Sequence, residues 1–304
     1  MNLKQFKYVL LLSQIGTFSG AAEALNISQP SLSQYIKNIE KQIGMPLFER
    51  ANGEVRLTDA GQIYIDAGRK ILDLEHQMAN QLSDISHYRG GTISIGISPY
   101  RSVHFMPGVL KKFDQLYPGI KLVVKERSGK ELIKSAERGE FDICIIALPV
   151  DDEKFSVIPI HREEIVIAVN RSSELCAKLS REAVFDPARR YPIVDINLIN
   201  NEWFAMLSEY MPMREVTDSL LNRNRVCIRE KIEVSSNEAL LSIVDSGVCA
   251  SLVPSGLTNQ ANLQTAFFSI KQEVAFRDIA VIYRKKQYLS KPIEDLIGMF
   301  KALN

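Results

Sequence analysis

This chain of 304 residues is short of cysteine, histidine and long apolar runs. Its four cysteines, Cys144, Cys176, Cys227 and Cys249, lie far apart with no CxxC pair and no His-rich segment, which excludes a disulfide framework and a zinc site. The four histidines, His76, His87, His104 and His161, form no visible dyad with a nucleophile. There is no GxSxG, HExxH or Walker loop, and no GxGxxG after a strand, so an enzyme is not expected and no cofactor is implied. No run reaches the roughly 18–20 apolar residues that span a bilayer. The opening MNLKQFKYVLLLSQ also lacks a signal peptide's layout, so the expected location is cytoplasmic. Excess charge of one sign is missing too. Lys and Arg total 37 against 36 Asp and Glu, a formal charge of +1, which excludes a generally basic nucleic-acid coat but leaves local charge open.

What is present is the composition of a folded protein, 46% hydrophobic and 24% charged, long enough for two or three compact units. In the first sixty residues, Leu3, Phe6, Val9, Leu10 and Ile15 follow a helical period. Thr17-Phe18-Ser19 supplies capping chemistry for an Ala-rich second helix that Asn26 ends. Ser28 is a good N-cap for a third helix, with Pro30 in its first turn, where a missing N–H is tolerated. Leu32, Ile36, Ile39 and Ile43 mark its inner face, and Gly44 terminates it. Asn52-Gly53 between two short apolar-containing runs then signals a hairpin. Three helices and a hairpin predict a winged helix-turn-helix.

From Thr58 a long helix runs to about Tyr88, roughly 45 Å at the helical rise. Tyr64, Ala67, Ile71, Leu74, Met78, Gln81 and Ile85 alternate three- and four-residue spacings, the pattern of a coiled-coil seam that pairs with a second chain. Arg89-Gly90-Gly91 reads as a hinge. Beyond it, strands are expected at 92–97, 120–126, 141–148, 156–160, 165–169, 193–196, 228–234, 248–253 and 275–283. Helices are expected near 103–117, 130–138, 213–222, 237–246 and 293–303. Alternating β and α predicts open, mostly parallel sheets in two lobes. The chain should cross between the lobes near Arg162 and again near Gln264–Glu273.

Gly16-Thr17-Phe18-Ser19-Gly20-Ala21-Ala22-Glu23-Ala24-Leu25 and Ser28-Gln29-Pro30-Ser31-Leu32-Ser33, with Leu47-Phe48-Glu49-Arg50 and Leu57-Thr58-Asp59-Ala60-Gly61, resemble LysR-type transcriptional regulators. Weaker similarity continues through Phe113–Pro118, Gly139–Asp142 and Val244–Val248. The resemblance implies a winged helix-turn-helix DNA-binding domain (1–58), a dimerising linker helix (59–89) and an α/β effector-binding domain (90–304). The last would be two-lobed and periplasmic-binding-protein-like, with lobe I at about 92–162 and 267–304 and lobe II at about 163–266. It also implies homodimers or homotetramers on double-stranded DNA, a small-molecule effector, and contact with RNA polymerase if the protein is an activator.

The candidate DNA contacts are Ser28, Gln29, Pro30, Ser31, Ser33, Gln34, Lys37, Arg50 and Arg56. Gln29, Ser33 and Gln34 suit base edges, Pro30 a thymine methyl, and Lys37 and Arg50 phosphates. The wing departs from the family pattern, carrying Gly53 beside Glu54 where a basic residue is usual, so its phosphate contribution should be modest. The candidate effector contacts are Ser98, Tyr100, Arg101, Ser102, Ser128 and Ser236, which follow strand ends where helix N-termini favour a small anion such as a carboxylate. Two alternatives remain open: a redox-sensing regulator using Cys176 and Cys227, and a solute-binding module with no regulatory role.

Overall fold

A computed structural model describes residues 2–51, 54–85, 90–259, 264–271, 275–285 and 287–303. The N-terminal unit consists of α1 (Leu3–Ile15), α2 (Phe18–Ala24), α3 (Gln29–Ile43) and a hairpin of β1 (Phe48–Ala51) with β2 (Glu54–Leu57). The N-caps of α2 and α3 and the Gly44 end of α3 are those expected from sequence. Thr17 accepts from the Gly20 N–H and Ser28 from the Ser31 N–H, while Gly16 and Gly44 end α1 and α3 in the left-handed region. The core stripe of α1 differs from expectation: Phe6, Val9 and Leu12 are buried, whereas Leu3 and Ile15 are exposed.

Glu40, on α3, fixes the wing by accepting from the Leu47 and Phe48 N–H groups at 2.8 and 3.2 Å. The Val55 N–H donates to the Gly16 carbonyl, so hairpin and first helix are tied directly. Helix α4 (Asp59–Ile85) follows, and Thr58 Oγ1 accepts from the Gly61 N–H at 3.0 Å. The rest of the expected helix, 86–88, and the Arg89 of the expected hinge lie outside the described residues. Of the expected seam, Tyr64 belongs to the N-terminal core, its ring 5.0 Å from that of Phe6. Ile71, Leu74 and Met78 are exposed, joined by Leu82.

The C-terminal region contains β3 (Gly91–Ile97), α5 (Pro99–Leu116), β4 (Ile120–Glu126), α6 (Gly129–Glu137), β5 (Ile143–Ala147) and the long strand β6 (Phe155–Asn170). Then come α7 (Glu174–Glu182), β7 (Ile193–Val194), a 3₁₀ turn (Ile196–Ile199), β8 (Trp203–Leu207), α8 (Pro212–Arg223), β9 (Arg229–Val234) and α9 (Asn237–Asp245). The remaining elements are β10 (Ser251–Pro254), a 3₁₀ turn (Ser255–Asn259), β11 (Thr265–Ile270), β12 (Phe276–Arg284) and α10 (Lys291–Lys301). The first sheet is covered on both faces by alternation of period two. Ile143 and Ile145 join the core under α5 and α10, while Cys144 and Ile146 join the one under α6. The second lobe has its own core around Ile165–Val169, Phe204–Leu207 and Leu240–Val244.

Two expectations need correction. The sheet is mixed rather than mostly parallel: β3 pairs in parallel with β4 and β5, but β12 pairs antiparallel with β5 and β6, and β10 and β11 pair antiparallel with β6. The physical reason is the double crossing, since β6 leaves the first lobe while β12 returns to it, and neighbours running opposite ways pair antiparallel. The strands expected at 156–160 and 165–169 are also one strand, because the charged stretch between them is paired rather than solvated. Sequence reading missed α7, β8 and β11 altogether, and β11 pairs with residues 166–170 of β6.

Gly61 lies so close to Leu47 that an added Cβ would sit 2.0 Å from its carbonyl oxygen. Gly61→Ala is therefore expected to destabilise the N-terminal unit by about 1–3 kcal/mol, read as an earlier denaturant transition in the full chain.

Candidate DNA-reading and effector sites

On α3, Ser28, Gln29, Pro30, Ser31, Gln34 and Lys37 are exposed and Ser33 is half-buried, while Leu32, Ile36 and Ile39 anchor the opposite face. A short run therefore presents hydroxyls, amides and one ammonium at the helix N-terminus, the part that meets base edges in a helix-turn-helix. Not every group is equally available. Ser28 Oγ and Ser31 Oγ share a 2.7 Å hydrogen bond, and Gln34 Nε2 donates to Asn38 Oδ1 at 3.1 Å. Asn38, which sequence reading passed over, is exposed and extends the same polar face. Arg56 is exposed on β2, opposite Glu49 in the hairpin register. The Arg50 side chain and the wing tip, Asn52-Gly53, lie outside the described residues.

The six candidate effector residues divide sharply. Ser128 accepts from the Glu131 N–H while Glu131 reaches back to the Ser128 N–H, a complete capping box on α6. Ser236 accepts from the Ala239 N–H at the start of α9. Both are thus engaged as helix caps. Ser98, at the start of α5, makes no cap hydrogen bond; its Oγ accepts from Arg101 Nη1 at 3.3 Å, leaving the first turn of α5 uncapped by its side chain. Ser102 is half-buried one turn on.

Tyr100 and Arg101 are both buried, at 7% exposure, where the lobes join. Tyr100 packs into the core of the second lobe although it stands on a helix of the first. Its hydroxyl donates to Glu163 Oε1 at 2.6 Å. Glu163 faces Arg277 in the β6–β12 register, and Arg277 Nε and Nη2 both lie 2.5 Å from Glu163 Oε2. Arg101 Nη2 stands 4.0 Å from the same oxygen. Burial alone would raise the Glu163 pKa, but Arg277, Arg101 and the Tyr100 hydroxyl together hold it below the ordinary carboxylate range. Burial, then the neighbouring Arg277, lowers Arg101 to about 10. Two guanidinium groups thus flank one carboxylate, and Arg101 Nε has no hydrogen-bond partner among the described residues. Gly256 closes the site from the second lobe, where an added Cβ would sit 2.3 Å from the Tyr100 hydroxyl.

Sequence reading missed Glu163 and Arg277. The signal was there in His161-Arg162-Glu163-Glu164, charges interrupting an apolar run, since Glu164 also pairs with Arg189 at 2.8 Å. The lobes touch again at the expected edge. Pro212, at the start of α8, lies against Gly129, and Lys130 Nζ is 3.2 Å from Glu215 Oε1. β8, β9 and β10 run in one direction, linked by the Leu207–Val234 register and by Ser251 Oγ donating to the Ala205 carbonyl. Their carboxyl ends therefore open together toward α5 and α6, the position ligands favour in α/β sheets.

The redox candidates do not form a site among the described residues. Cys176 is buried on α7 with Ser180 Oγ 4.0 Å away, and Cys227 is exposed, its N–H donating to Asn200 Oδ1. Burial pushes the Cys144 thiol up to about 12. His, Cys, Asp and Glu side chains form no metal-binding group among the described residues.

Because Glu163 is held ionised in the fold, the unfolded chain takes its proton more readily. Its contribution is full above the ordinary value of 4.5 and falls away as pH drops below it. Glu163→Gln is expected to flatten that acid limb in denaturant titrations across pH. Arg277→Met should cost about 3–5 kcal/mol at neutral pH by leaving a buried carboxylate short of its main partner.

The LysR substrate binding domain family matches residues 86–304, and the bacterial regulatory helix-turn-helix family of LysR proteins matches residues 3–62. An uncharacterized HTH-type transcriptional regulator of Bacillus subtilis, YcgK, is 29% identical, covering 95% of this chain and 91% of its own length. Full-length OxyR of Pseudomonas aeruginosa superposes with a TM-score of 0.73 at 23% identity, covering 99% of this chain and 94% of that one. CbnR complexed with its target DNA gives 0.67 at 18% identity, with 99% of each chain covered. No described helix is long and apolar enough to cross a membrane. With both its helix-turn-helix and its effector-binding region matched, the chain belongs to the LysR family of DNA-binding transcriptional regulators.

Proposed function

We propose that this regulator reads a specific operator as a homodimer or dimer of dimers in the cytoplasm, and that a small anion bound between its lobes modulates it without catalysis. The units are a DNA-binding domain at 1–58, a linker helix at 59–89 and an effector domain at 90–304. The observation that carries the effector class is the uncapped N-terminus of α5. There Ser98 leaves the first-turn N–H groups without a side-chain partner, beside two arginines that share one carboxylate. A carboxylate or similar anion supplies the missing negative charge. Ser98 and Ser102 are its expected contacts, Arg101 its electrostatic support, and Tyr100 the brace between lobes. Ser128 and Ser236 line the opening through their helix ends, their hydroxyls being engaged in caps.

Dimer formation is supported by the apolar row Ile71, Leu74, Met78 and Leu82 on α4, which stays exposed among the described residues. DNA reading is supported by the exposed polar edge of α3, where Gln29 and Ser33 are the proposed base contacts and Pro30, Ser28, Ser31 and Gln34 complete the edge. Lys37, Arg50 and Arg56 are the proposed phosphate contacts. Effector binding would shift the balance between two lobe arrangements and so alter how linked subunits present α3.

A thermal-shift screen of the full chain against small carboxylates is expected to find stabilisation that grows with concentration. Ser98→Ala should weaken the shift while Cys176→Ser leaves it intact; a shift that ignores Ser98 and vanishes with Cys176 would overturn the effector reading in favour of redox input. In separate duplex titrations, Gln29→Ala with Ser33→Ala should lower specific affinity by about 1–3 kcal/mol per lost base contact, with little change for random DNA. Leu74→Lys with Met78→Lys should shift the chain toward monomers in sedimentation.

A further inference from the structure

A second charged cavity lies outside the cleft, where the DNA-binding arm meets the first lobe. It is about 420 Å³ in volume and is lined from the arm by Gln14 of α1 and Arg69 of α4. The lobe contributes Lys125 and Arg127 from β4 and its following turn, and one face of α6 with Glu131, Lys134, Ser135 and Arg138, spaced i, i+3, i+4 and i+7. Five cations therefore meet two carboxylates, Glu131 and Glu140, in a chain whose total charge is only +1.

Both carboxylates are already engaged. Glu131 belongs to the α6 capping box, and Glu140 lies 3.7 Å from Arg138. Lys125 and Lys134 form no ion pair among the described residues. Arg69 lies 3.4 Å from Asp66, and its buried Nε has no hydrogen-bond partner among the described residues. An adjoining cavity shares Arg69, Arg138 and Glu140. It reaches Gly139, over which the Arg284 guanidinium lies while bonding Asp73 of α4. The Arg284 Nε is likewise buried without a partner. Among the described residues, the Arg284–Asp73 ion pair thus crosses the seam between arm and lobe beside a cluster whose cations outnumber its carboxylates.

We propose that this seam is a binding site for a small phosphorylated anion carrying two or more phosphate charges, and that its occupant clamps α4 onto the first lobe. Phosphate oxygens match forked guanidinium donors, and only a multiply charged ligand answers cations contributed from both sides of the seam. The cavity adjoins the cleft, since Glu131 is bonded to Ser128 and the Arg127 N–H donates to the Ile97 carbonyl, but Ser98, Arg101 and Glu163 are not part of its lining. Occupancy would change the freedom of the arm without closing the lobes.

The test is calorimetric titration of the full chain with tripolyphosphate and with a sugar bisphosphate, against sulfate at matched ionic strength. One tripolyphosphate per chain is expected to bind at least tenfold more tightly than sulfate, a difference of about 1.4 kcal/mol or more. If the sugar bisphosphate binds better still, the natural ligand is a phosphorylated metabolite; if worse, a linear polyphosphate. Lys125→Gln with Lys134→Gln, both exposed and so compatible with folding, should weaken binding at least tenfold. Ser98→Ala in the cleft and Lys37→Gln on α3 should leave it unchanged. Amide exchange along 66–75 should slow when the anion is bound. Unchanged affinity in the double lysine variant, loss of binding in Lys37→Gln or Ser98→Ala, or unaltered exchange in α4 would each overturn the proposal.

Discussion

One buried carboxylate, Glu163, ties together the two crossing strands and the first helix of the effector domain. Glu163 sits where β6 passes from one lobe to the other, opposite Arg277 on the strand that returns, and takes the hydroxyl of a tyrosine rooted in the first lobe but packed in the second. Charges removed from water are costly unless paired, so this arrangement holds only when all the partners are in register. The crossing is therefore a defined joint rather than a loose linker. The outer rim has the same character, with Arg189 and Arg162 both stacked on Phe276 and paired to Glu164 and Asp278. A joint built of ion pairs has discrete arrangements, and a ligand that adds charge beside it shifts their balance.

The two ends of the molecule were legible to different degrees. In the N-terminal unit, structure is local: Ser28, Thr17 and Gly44 sit within a few residues of the groups they cap, so their chemistry can be read along the chain. Even there Glu40, which holds the wing through two N–H groups seven and eight residues away, shows no signal of its own. The joint could not be read this way. Glu163 and Arg277 are separated by 114 positions, and a charged tetrapeptide between apolar runs looks like a surface turn until its partners are known. β8 and β11 were lost because short apolar runs take their identity from the strand beside them. The same holds for the serines. Ser98, Ser128 and Ser236 stand alike before helices, and only the geometry separates the two that cap from the one that does not.

Function follows from where the chain leaves its chemistry unfinished. The polar edge of α3, the apolar row on α4, the uncapped start of α5 and the cationic seam between arm and lobe are four surfaces the fold leaves open. Nucleic acid, a second subunit, a small anion and a phosphorylated ligand are the complements we propose for them, in that order. The Asp73–Arg284 pair is one direct contact between the arm that carries α3 and α4 and the first lobe. A change at the joint that moved the first lobe would be felt by α4 through this pair.

If the Glu163 joint sets how the protein holds DNA, an operator footprint of the full-length Glu163→Gln variant, with no ligand present, will differ from that of the unaltered chain. A changed footprint or an affinity altered about fivefold or more is expected, because the neutral amide weakens the joint while α3 is untouched. An identical footprint and affinity, in a variant whose lowered stability shows that the joint has been weakened, would contradict it.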